Sequence, residues 1–411
     1  MKRPRILFVS PRLPLPLNSG TKIRTSHLIR GLVQVGDVDL VSYGSPLELD
    51  ELLSSNTQIP EWWSELHSIQ ILPHPPWHAT DPPLYQRRLG QRFLSRTALT
   101  YSSFPGTPLH RRAAPLAENA DLIWVERLHT ALGLTRFARK IIVDLDDMES
   151  VKTSREAESN PLPYMRWATK REAARLARME RAAVEQFSRV TVCSEGDTRF
   201  FGDAADRVWI VPNGVDDKLT DKPSVPRDLH RLVFVGTMNY GPNEDAVLYF
   251  CREIFPRVRA QIPDARLSIV GLKPPATLLA LQDDRSIFVH ANVPDVAPYV
   301  QRATVSIVPL RVGGGTRLKI LESLALGTPV VSTTVGAEGL DLNHGEHLLL
   351  ADSPADFAEA VVRMLRDSDL NNRLAVEGRN RVRQLYLWSS IQNQVATQCE
   401  NLLQTMTKHA S

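Results

Sequence analysis

The sequence predicts an α/β protein that is built from two doubly wound domains. Its 411 residues exceed what one compact core usually holds, and an apolar content of 43% is typical of a globular protein. Short apolar runs alternate with helix-length amphipathic segments along the whole chain, which is the pattern of parallel sheets joined by crossover helices. One polar segment around Pro223 and Pro226 interrupts this alternation and divides the chain into two halves.

Apolar runs of strand length predict the sheet of the first half. They are Ile6–Val9, Val38–Tyr43, Leu122–Val125, Ile141–Asp144, Val190–Cys193 and Val208–Val211. Two amphipathic segments, Thr21–Val35 and Arg166–Phe187, predict helices. The turn signal Asn213-Gly214 ends this half, so we predict a first domain over residues 1–213 and a linker over residues 214–230.

The second half repeats the alternation more regularly and predicts a second sheet over residues 231–385. Its strands are Leu232–Val235, Arg266–Val270, Ile287–His290, Thr304–Val308, Pro329–Ser332 and His347–Leu350. Its helices are Asn243–Arg259, Leu318–Leu326 and Pro354–Leu365. Residues 386–411 carry a further helical pattern.

Bulk properties exclude several classes of protein. A net charge of +3 is too small to indicate nucleic-acid binding. Cys193, Cys251 and Cys399 are far apart in sequence, so neither a disulfide framework nor a cysteine-rich zinc site is expected. The N-terminus lacks the apolar core of a signal peptide, and no long uncharged apolar stretch follows, so we expect a cytoplasmic protein.

The segment Pro309–Ser332 is the most informative part of the chain. A buried strand is followed by Gly313, Gly314 and Gly315, and then by a helix that begins near Thr316 to Leu318. Glycines allow a close approach to a ligand, and the unpaired amides at a helix start attract anions. Arg311, Arg317 and Lys319 add positive charge suited to a diphosphate, and Glu322 lies one turn further on, where a carboxylate accepts hydrogen bonds from a ribose diol. The alternative is a flexible loop beside a solvated helix face.

These motifs resemble those of a known family. GGGTRLKILE resembles the donor-binding signature of retaining GT-B glycosyltransferases in glycosyltransferase family 4, also called group 1. ILFVSPRLPLPLNSGTKIRTSHLIRGL and LVFVGTMNYGPNEDAVLYF resemble the first strand-loop-helix unit of each of its domains, and SGTKIR and VDLDDMES are similar to exopolysaccharide-associated sugar transferases. The resemblance implies a GT-B architecture, with two Rossmann-like domains facing across a cleft. The first domain would bind the acceptor, the second would bind the nucleotide-sugar, and residues 386–411 would cross back to the first.

The resemblance also implies site residues. Glu322 matches the second Glu of the family's E-x7-E motif, but Gly314 stands at the first, so the usual sugar-reading carboxylate is missing. The family's Arg and Lys positions are Thr237 and Pro242 here, and we therefore expect Arg317 and Lys319 to hold the diphosphate and to act in catalysis. The predicted donor-binding residues are Gly20, Thr21, Gly236, Thr237, Gly271, Val293, Arg311, Gly313, Gly314, Gly315, Thr316, Leu318 and Glu322.

The segment VDLDDMES allows three interpretations. Asp146 stands where relatives have a His near the reacting carbon, and Asp147 follows it, so both are candidate catalytic groups. Asp147 alternatively caps the next helix. Asp144 and Asp146 also form a D-x-D pattern, which in other glycosyltransferases holds a divalent metal ion. We favour the catalytic interpretation and expect no metal.

The expected reaction is transfer of a sugar from a nucleoside-diphosphate-sugar to an acceptor hydroxyl with retention of configuration. It needs no cofactor, since the nucleotide-sugar is a substrate, and it serves polysaccharide, glycolipid or glycoconjugate biosynthesis. The acceptor is expected to be a saccharide, a lipid-linked molecule or a small molecule. A non-catalytic sugar-nucleotide-binding scaffold and a sugar-nucleotide epimerase are the alternatives.

Basic residues suggest further contacts. Residues 82–117 contain no Asp or Glu but six Arg and several aromatic residues, which indicates either peripheral contact with the inner face of a membrane or a solvated surface. Arg166–Phe187 is a second basic segment with the same two interpretations. Lys22 and Arg24 are either phosphate contacts or part of a solvated helix face. Glu126 follows a strand and is placed near a cleft without support from a motif.

Overall fold

The computed structural model describes residues 3–17, 19–45, 48, 59–74, 107–159, 162–223, 225–283, 285–312 and 316–410. The chain forms two compact units. The first comprises residues 1–212 and 392–411, and the second comprises residues 213–391. The segment predicted as a linker, residues 214–230, therefore lies within the second unit.

The first unit contains a seven-stranded sheet in the order β3-β2-β1-β4-β5-β6-β7, and its paired strands are parallel. The strands are β1 (Arg5–Ser10), β2 (Asp37–Gly44), β3 (Ser68–Pro73), β4 (Leu122–Glu126), β5 (Ile141–Asp146), β6 (Arg189–Val192) and β7 (Val208–Ile210). All six predicted strands are confirmed. The additional strand β3 was missed because it is an edge strand whose side chains are only half-buried, so its sequence lacks a continuous apolar run.

Helices cover this sheet. They are α1 (Gly20–Val35), α2 (Pro108–Asn119), α3 (Leu128–Ala131), α4 (Glu149–Ser159), α5 (Pro163–Gln186) and α6 (Glu195–Thr198). Short 3₁₀ segments span Glu61–Glu65, Leu132–Lys140 and Arg199–Arg207. Since a parallel sheet is covered on both faces, the residues between the polar ends of β1 are apolar, and Ile6 to Val9 are fully buried. The strand order reverses between β1 and β4, whose carboxyl ends are the ligand-binding edge in doubly wound sheets.

The second unit contains a six-stranded sheet in the order β10-β9-β8-β11-β12-β13, again with parallel pairs. The strands are β8 (Arg231–Thr237), β9 (Arg266–Leu272), β10 (Ile287–Ala291), β11 (Val305–Val308), β12 (Val330–Ser332) and β13 (Leu349–Leu350). All six predicted strands are confirmed. The order reverses between β8 and β11, which places a second ligand-binding edge at their carboxyl ends.

The helices of the second unit are α7 (Lys218–Asp221), α8 (Gly241–Tyr249), α9 (Phe255–Gln261), α10 (Ala276–Leu279), α11 (Ala297–Arg302), α12 (Leu318–Ala325), α13 (Pro354–Arg366) and α14 (Ser368–Leu385). The last helix of the chain, α15, spans Trp388–Ala410. The predicted helix Asn243–Arg259 is interrupted by a π-helical turn, Phe250–Ile254. Pro256 explains the interruption, because its ring lacks an N–H and clashes with the carbonyl four residues earlier.

None of the described helices combines the length and the hydropathy that a membrane span requires.

Candidate functional site

In the second unit, the candidate site is centred on the start of α12. Thr316 and Arg317 precede the helix, and Leu318 is its first residue. The Thr316 hydroxyl accepts a hydrogen bond from Asn213 Nδ2 at 3.2 Å, and the buried Arg317 guanidinium donates to the Val335 carbonyl at 3.4 Å. The predicted anion-binding glycines, Gly313, Gly314 and Gly315, lie outside the described residues.

Lys319 is held over the carboxyl end of β8. Its ammonium donates to Asn243 Oδ1 at 2.6 Å and lies 4.4 Å from the centroid of the Phe234 ring. Asn243, in the first turns of α8, donates through Nδ2 to the Thr237 carbonyl at 2.9 Å. A Cβ at Gly236 would lie 2.8 Å from Asn243 Nδ2 and 3.2 Å from Lys319 Nζ, so the glycine leaves room for this network. Gly236, Thr237 and Lys319 are therefore neighbours, as a donor site requires.

The environment of Lys319 disfavours its positive charge. Burial and the neighbouring Arg317 cation lower the pKa of Lys319 to about 7, and Glu322 only partly opposes them. Burial likewise raises the pKa of Glu322, against the attraction of Lys319. Lys319 and Glu322 line one cavity of about 80 Å³ between α11 and α12. Among the described residues, Arg317, Lys319 and Glu322 are the charged groups at the start of α12, while Asp295 beside the cavity is paired with Lys222. An anionic ligand would favour the charged form of Lys319.

The strand ends beside this network are packed closely. Gly236 on β8 pairs with Gly271 on β9, and Gly271 pairs with Ala291 on β10. A Cβ at Gly271 would lie 1.8 Å from the Gly236 carbonyl oxygen, so no side chain fits there. Val293 is half-buried two residues after β10 and packs against the core beside Val270. The predicted main-chain contacts Gly236, Thr237, Gly271 and Val293 thus share one edge of the sheet.

Arg311 is occupied by another partner. Its guanidinium forms two hydrogen bonds with the Asp245 carboxylate, of which the one from Nε is 3.0 Å long, and it lies 4.6 Å from the Tyr249 ring centroid. The bond to Asp245 raises the pKa of Arg311. Because Asp245 already neutralises this cation, Arg317 and Lys319 are the stronger candidates for contacts with a diphosphate.

In the first unit, Arg24 and Lys22 are buried, so the interpretation as a solvated helix face is wrong for both. Arg24 donates to the two Asp144 oxygens at 3.0 and 2.8 Å and to the Val211 carbonyl at 2.8 Å. Lys22 donates to the Leu15 carbonyl at 3.0 Å and to Glu48 at 2.6 Å. Both side chains therefore hold the start of α1 in place.

Asp144 is a structural carboxylate. Besides Arg24, it accepts a hydrogen bond from the Thr191 hydroxyl at 2.6 Å. Burial alone would raise the pKa of Asp144, but the Arg24 guanidinium outweighs it and holds the pKa below its ordinary value. Because both Asp144 oxygens already accept hydrogen bonds, Asp144 is not placed to bind a metal ion, as the D-x-D interpretation requires.

Two strained residues meet at the carboxyl ends of β4 and β5. Arg127 has φ 70° and Asp146 has φ 57°, a conformation that non-glycine residues rarely adopt. The Arg127 guanidinium donates to Asp146 Oδ2 at 3.0 Å and to the Leu145 carbonyl at 3.1 Å. The register between β5 and β6 shifts between Asp144 and Asp146. Backbone strain of this kind concentrates at functional sites.

Sequence reasoning missed Arg127. It directly follows the strand that ends at Glu126, and a basic residue at the carboxyl end of a parallel strand was the available signal. Asp146 could be proposed from its position in VDLDDMES, but its pairing with Arg127 depends on the adjacency of β4 and β5.

Asp147 does not cap the following helix, so that interpretation is wrong. Helix α4 begins at Glu149, and the Ser150 amide donates instead to Glu180 Oε1 at 3.1 Å. Burial and the neighbouring Asp146 charge raise the pKa of Asp147 to about 6. A carboxyl group with a pKa near neutrality, beside a strained Asp146, is suited to acid–base or hydroxyl-orienting chemistry.

Asp146, Asp147 and Cys193 also place one potential ligand atom each within 4.8 Å of one another. Their surroundings do not fit a hard divalent cation. Arg127 and Arg24 lie 3.0 and 3.6 Å from the Asp146 oxygens, and burial raises the pKa of the Cys193 thiol well above its ordinary value. Two guanidinium groups and a neutral thiol disfavour Mg²⁺, which prefers several oxygen ligands.

The remaining predicted residues of the first unit lie near the start of α1. Gly20 is the first residue of the helix and is exposed, and Thr21 is half-buried beside it. Glu126 is buried rather than placed at an accessible edge, and it accepts hydrogen bonds from Ser10 Oγ at 2.6 Å and Thr25 Oγ1 at 3.1 Å. Burial raises the pKa of Glu126.

Comparisons with known proteins define the class of fold. Sucrose-phosphate synthase from Thermosynechococcus elongatus superposes with a TM-score of 0.66 at 18% identity, over 98% of this chain and all of that chain. HepE from Anabaena, solved in complex with UDP, gives a TM-score of 0.63 at 14% identity, over 98% of this chain and all of that chain. With its two doubly wound units, the protein has the GT-B fold.

Sequence comparison is more specific for the second unit. Residues 230–367 match the family model described as Glycosyl transferases group 1. The phosphatidyl-myo-inositol mannosyltransferase of Mycobacterium leprae is 29% identical over 195 residues, which are 45% of this chain and 51% of that protein. An uncharacterized 44.6 kDa protein in the cps region of Klebsiella pneumoniae is 28% identical over 148 residues, 33% of this chain and 37% of that protein. The chain thus covers between about a third and a half of these relatives' lengths.

Proposed function

We propose that the protein transfers a sugar from a nucleoside-diphosphate-sugar to an acceptor hydroxyl. The observation that carries this proposal is the cluster of Lys319, Arg317 and Glu322 at the start of α12, where burial and the Arg317 cation lower the pKa of Lys319 to about 7. The cluster lies within the segment that matches group 1 glycosyl transferases. Support also comes from HepE, whose structures contain UDP or UDP-glucose.

Lys319 and Arg317 are assigned to the diphosphate, together with the main chain of residues 313–316. When the sugar–phosphate bond breaks, negative charge develops on the leaving phosphate, and preformed cations at that point are usually the largest catalytic contribution. Glu322 is assigned to the ribose diol. Because Gly314 has no carboxylate, recognition of the donor sugar is assigned to other residues.

The finer features of the reaction are part of the same proposal. The configuration of the transferred hexose is retained, with the leaving phosphate acting as base, and no metal ion is needed. Asp146 and Asp147 orient the acceptor hydroxyl or stabilise the developing oxocarbenium ion. The product belongs to a polysaccharide, glycolipid or glycoconjugate, as in exopolysaccharide synthesis, and the enzyme works in the cytoplasm or at the inner face of a membrane. The Mycobacterium leprae relative, named for transfer to phosphatidyl-myo-inositol, supports lipid-linked acceptors.

A donor screen tests the proposal. The purified protein is incubated with UDP-, GDP- and dTDP-sugars, with and without mixed acceptors, and released nucleoside diphosphate and products are measured by NMR. We expect acceptor-dependent release and a product with the donor's anomeric configuration, and addition of EDTA should leave the rate unchanged. Interconversion of the free nucleotide-sugar without acceptor would indicate an epimerase, and tight binding without turnover would indicate a scaffold.

Substitution of Lys319 localises the activity. Lys319→Ala should lower both donor affinity and turnover, because the diphosphate loses its buried cation. The matched control is Arg252→Ala, which removes an exposed cation from the second unit. Equal loss of activity in the two variants would contradict the assignment of the site.

A further inference from the structure

The α4–α5 hairpin of the first unit presents an exposed surface that sugar transfer does not explain. One face of α5 packs inward through Ala173, Leu176, Ala183 and Val184. The side chains at the beginning of α5 are half-buried or exposed. We call residues 162–171 the aromatic end of α5. In this segment Tyr164 is 65% exposed, Trp167 is 51% exposed and Leu162 is 48% exposed.

The aromatic end of α5 combines apolar and basic side chains on one face. Tyr164, Trp167 and Arg171 are three and four residues apart, so they follow one stripe of the helix, and the Arg171 guanidinium lies 5.5 Å from the Trp167 ring. The segment also contains Arg166 and Lys170 and has no acidic residue. Exposed aromatic rings with adjacent cations are the composition of surfaces that settle at the lipid headgroup level.

The charge of the whole hairpin favours an anionic partner. Among the exposed charged side chains of α4 and α5, seven are basic and three are acidic. The basic ones are Lys152, Arg155, Arg166, Lys170, Arg171, Arg178 and Arg181, and the acidic ones are Glu156, Glu158 and Glu185. Two acids do not reduce this excess, because Glu172 is buried beside Arg175 and Glu180 is buried against Ser150.

We propose that the aromatic end of α5 docks on an anionic lipid bilayer, with Tyr164, Trp167 and Leu162 at the acyl boundary and the basic side chains on lipid phosphates. A bilayer fits this surface better than an acidic protein does. Three large apolar side chains at a helix end can insert into the acyl boundary, and the cations beside them can contact the anionic lipid headgroups. The proposal concerns residues 162–171 and not residues 82–117, most of which lie outside the described residues.

Vesicle flotation tests the proposal. The full-length protein is mixed with neutral phosphatidylcholine vesicles or with vesicles in which about a third of the lipid is phosphatidylglycerol. We expect flotation with the anionic vesicles only, and loss of flotation when salt rises from about 50 mM to about 500 mM. Absence of binding to anionic vesicles at low salt would overturn the proposal, as would equal binding to both vesicle types.

Matched variants test whether the aromatic end of α5 is the surface that binds vesicles. Tyr164→Ser/Trp167→Ser and Lys170→Gln/Arg171→Gln should each weaken vesicle binding by about tenfold or more. The controls Leu229→Ser/Val376→Ser and Arg252→Gln/Arg257→Gln change exposed residues of the second unit and should bind like wild type. Unchanged nucleotide binding by the α5 variants shows that they are folded and separates this test from the proposed sugar transfer. Vesicle binding by the α5 variants at wild-type strength would contradict the proposal.

Lipid quenching distinguishes a bilayer from an acidic macromolecule. Bromine-labelled lipids should quench part of the tryptophan fluorescence of the wild-type protein, and Trp167→Phe should remove that part. Quenching that persists unchanged in this variant, or equal competition by soluble polyglutamate and by vesicles, would refute docking through α5.

Discussion

Lys319 and Arg317 are two basic residues at the start of one helix, and their repulsion lowers the pKa of Lys319. Glu322 is the described carboxylate that opposes this shift. Burial makes the charged form of the lysine costly, so its pKa falls to about 7. If the proposed site holds a diphosphate, its negative charge would raise the pKa of Lys319. Donor binding would then be linked to protonation of Lys319.

The linkage gives a prediction about pH. At about pH 8 the free lysine is mostly neutral, so binding of a nucleoside diphosphate should take up close to one proton, and affinity should fall as the pH rises above about 7. Titration calorimetry in buffers with different ionisation enthalpies measures this proton. Lys319→Met keeps the apolar stem over Phe234 and should show no proton uptake. Equal uptake by wild type and variant would assign the proton to another group.

Substitution of Asp146 gives a second prediction. Asp146→Asn preserves the size of the side chain, and Asn tolerates the left-handed backbone that Asp146 adopts. We expect turnover to fall by about 100-fold, as for the loss of a positioned acid–base group, while the nucleotide affinity of the second unit stays unchanged. Asp203→Asn, on an exposed site of the same unit, is the control. Normal turnover by Asp146→Asn would leave the carboxylate with a purely structural role in holding Arg127.

At the scale of elements, the buried pair of Arg24 and Asp144 joins α1 to the carboxyl end of β5. Both side chains are 1% exposed, so removal of one partner leaves an uncompensated buried charge. Arg24→Met should lower the free energy of unfolding by about 3 kcal/mol in urea denaturation, and Arg24→Met/Asp144→Leu should recover part of that loss. A double variant as unstable as the single one would show that the pair is not the cause.

The lowered pKa of Asp144 fixes the sign of the pH effect. A carboxyl group whose pKa is lower in the folded protein stabilises the fold above its unfolded-state pKa, near 4, and loses this contribution as the pH falls through its folded-state value. Wild type should therefore lose more stability on acidification than the double variant.

The strands that could be predicted from sequence are those whose side chains are buried along most of their length. Strands such as β1 and β11 are buried on both faces, so their sequences are mostly apolar. The edge strand β3 is only half-buried, so it has no apolar run that predicts a strand. The π-helical turn before Pro256 is a local change of the backbone, and hydrophobic periodicity does not predict it. The pairs Arg24–Asp144 and Arg127–Asp146 join residues 120 and 19 positions apart, and only the strand order brings them together.

At the scale of the whole molecule, each unit follows the rule that ligands bind at the carboxyl ends of parallel strands where the strand order reverses. In the first unit this edge carries the strained pair of Arg127 and Asp146 next to Asp147. In the second unit it carries Lys319 and Asn243 over β8. In the proposed function, the first edge would serve the acceptor and the second would hold the leaving diphosphate.

Crystals soaked with UDP, GDP and dTDP would show whether the start of α12 holds a nucleoside diphosphate. We expect phosphate oxygens within hydrogen-bonding distance of Lys319 and Arg317, and a ribose diol at Glu322. A nucleotide bound elsewhere in the protein, with the space beside Lys319 and Glu322 left empty, would contradict this expectation.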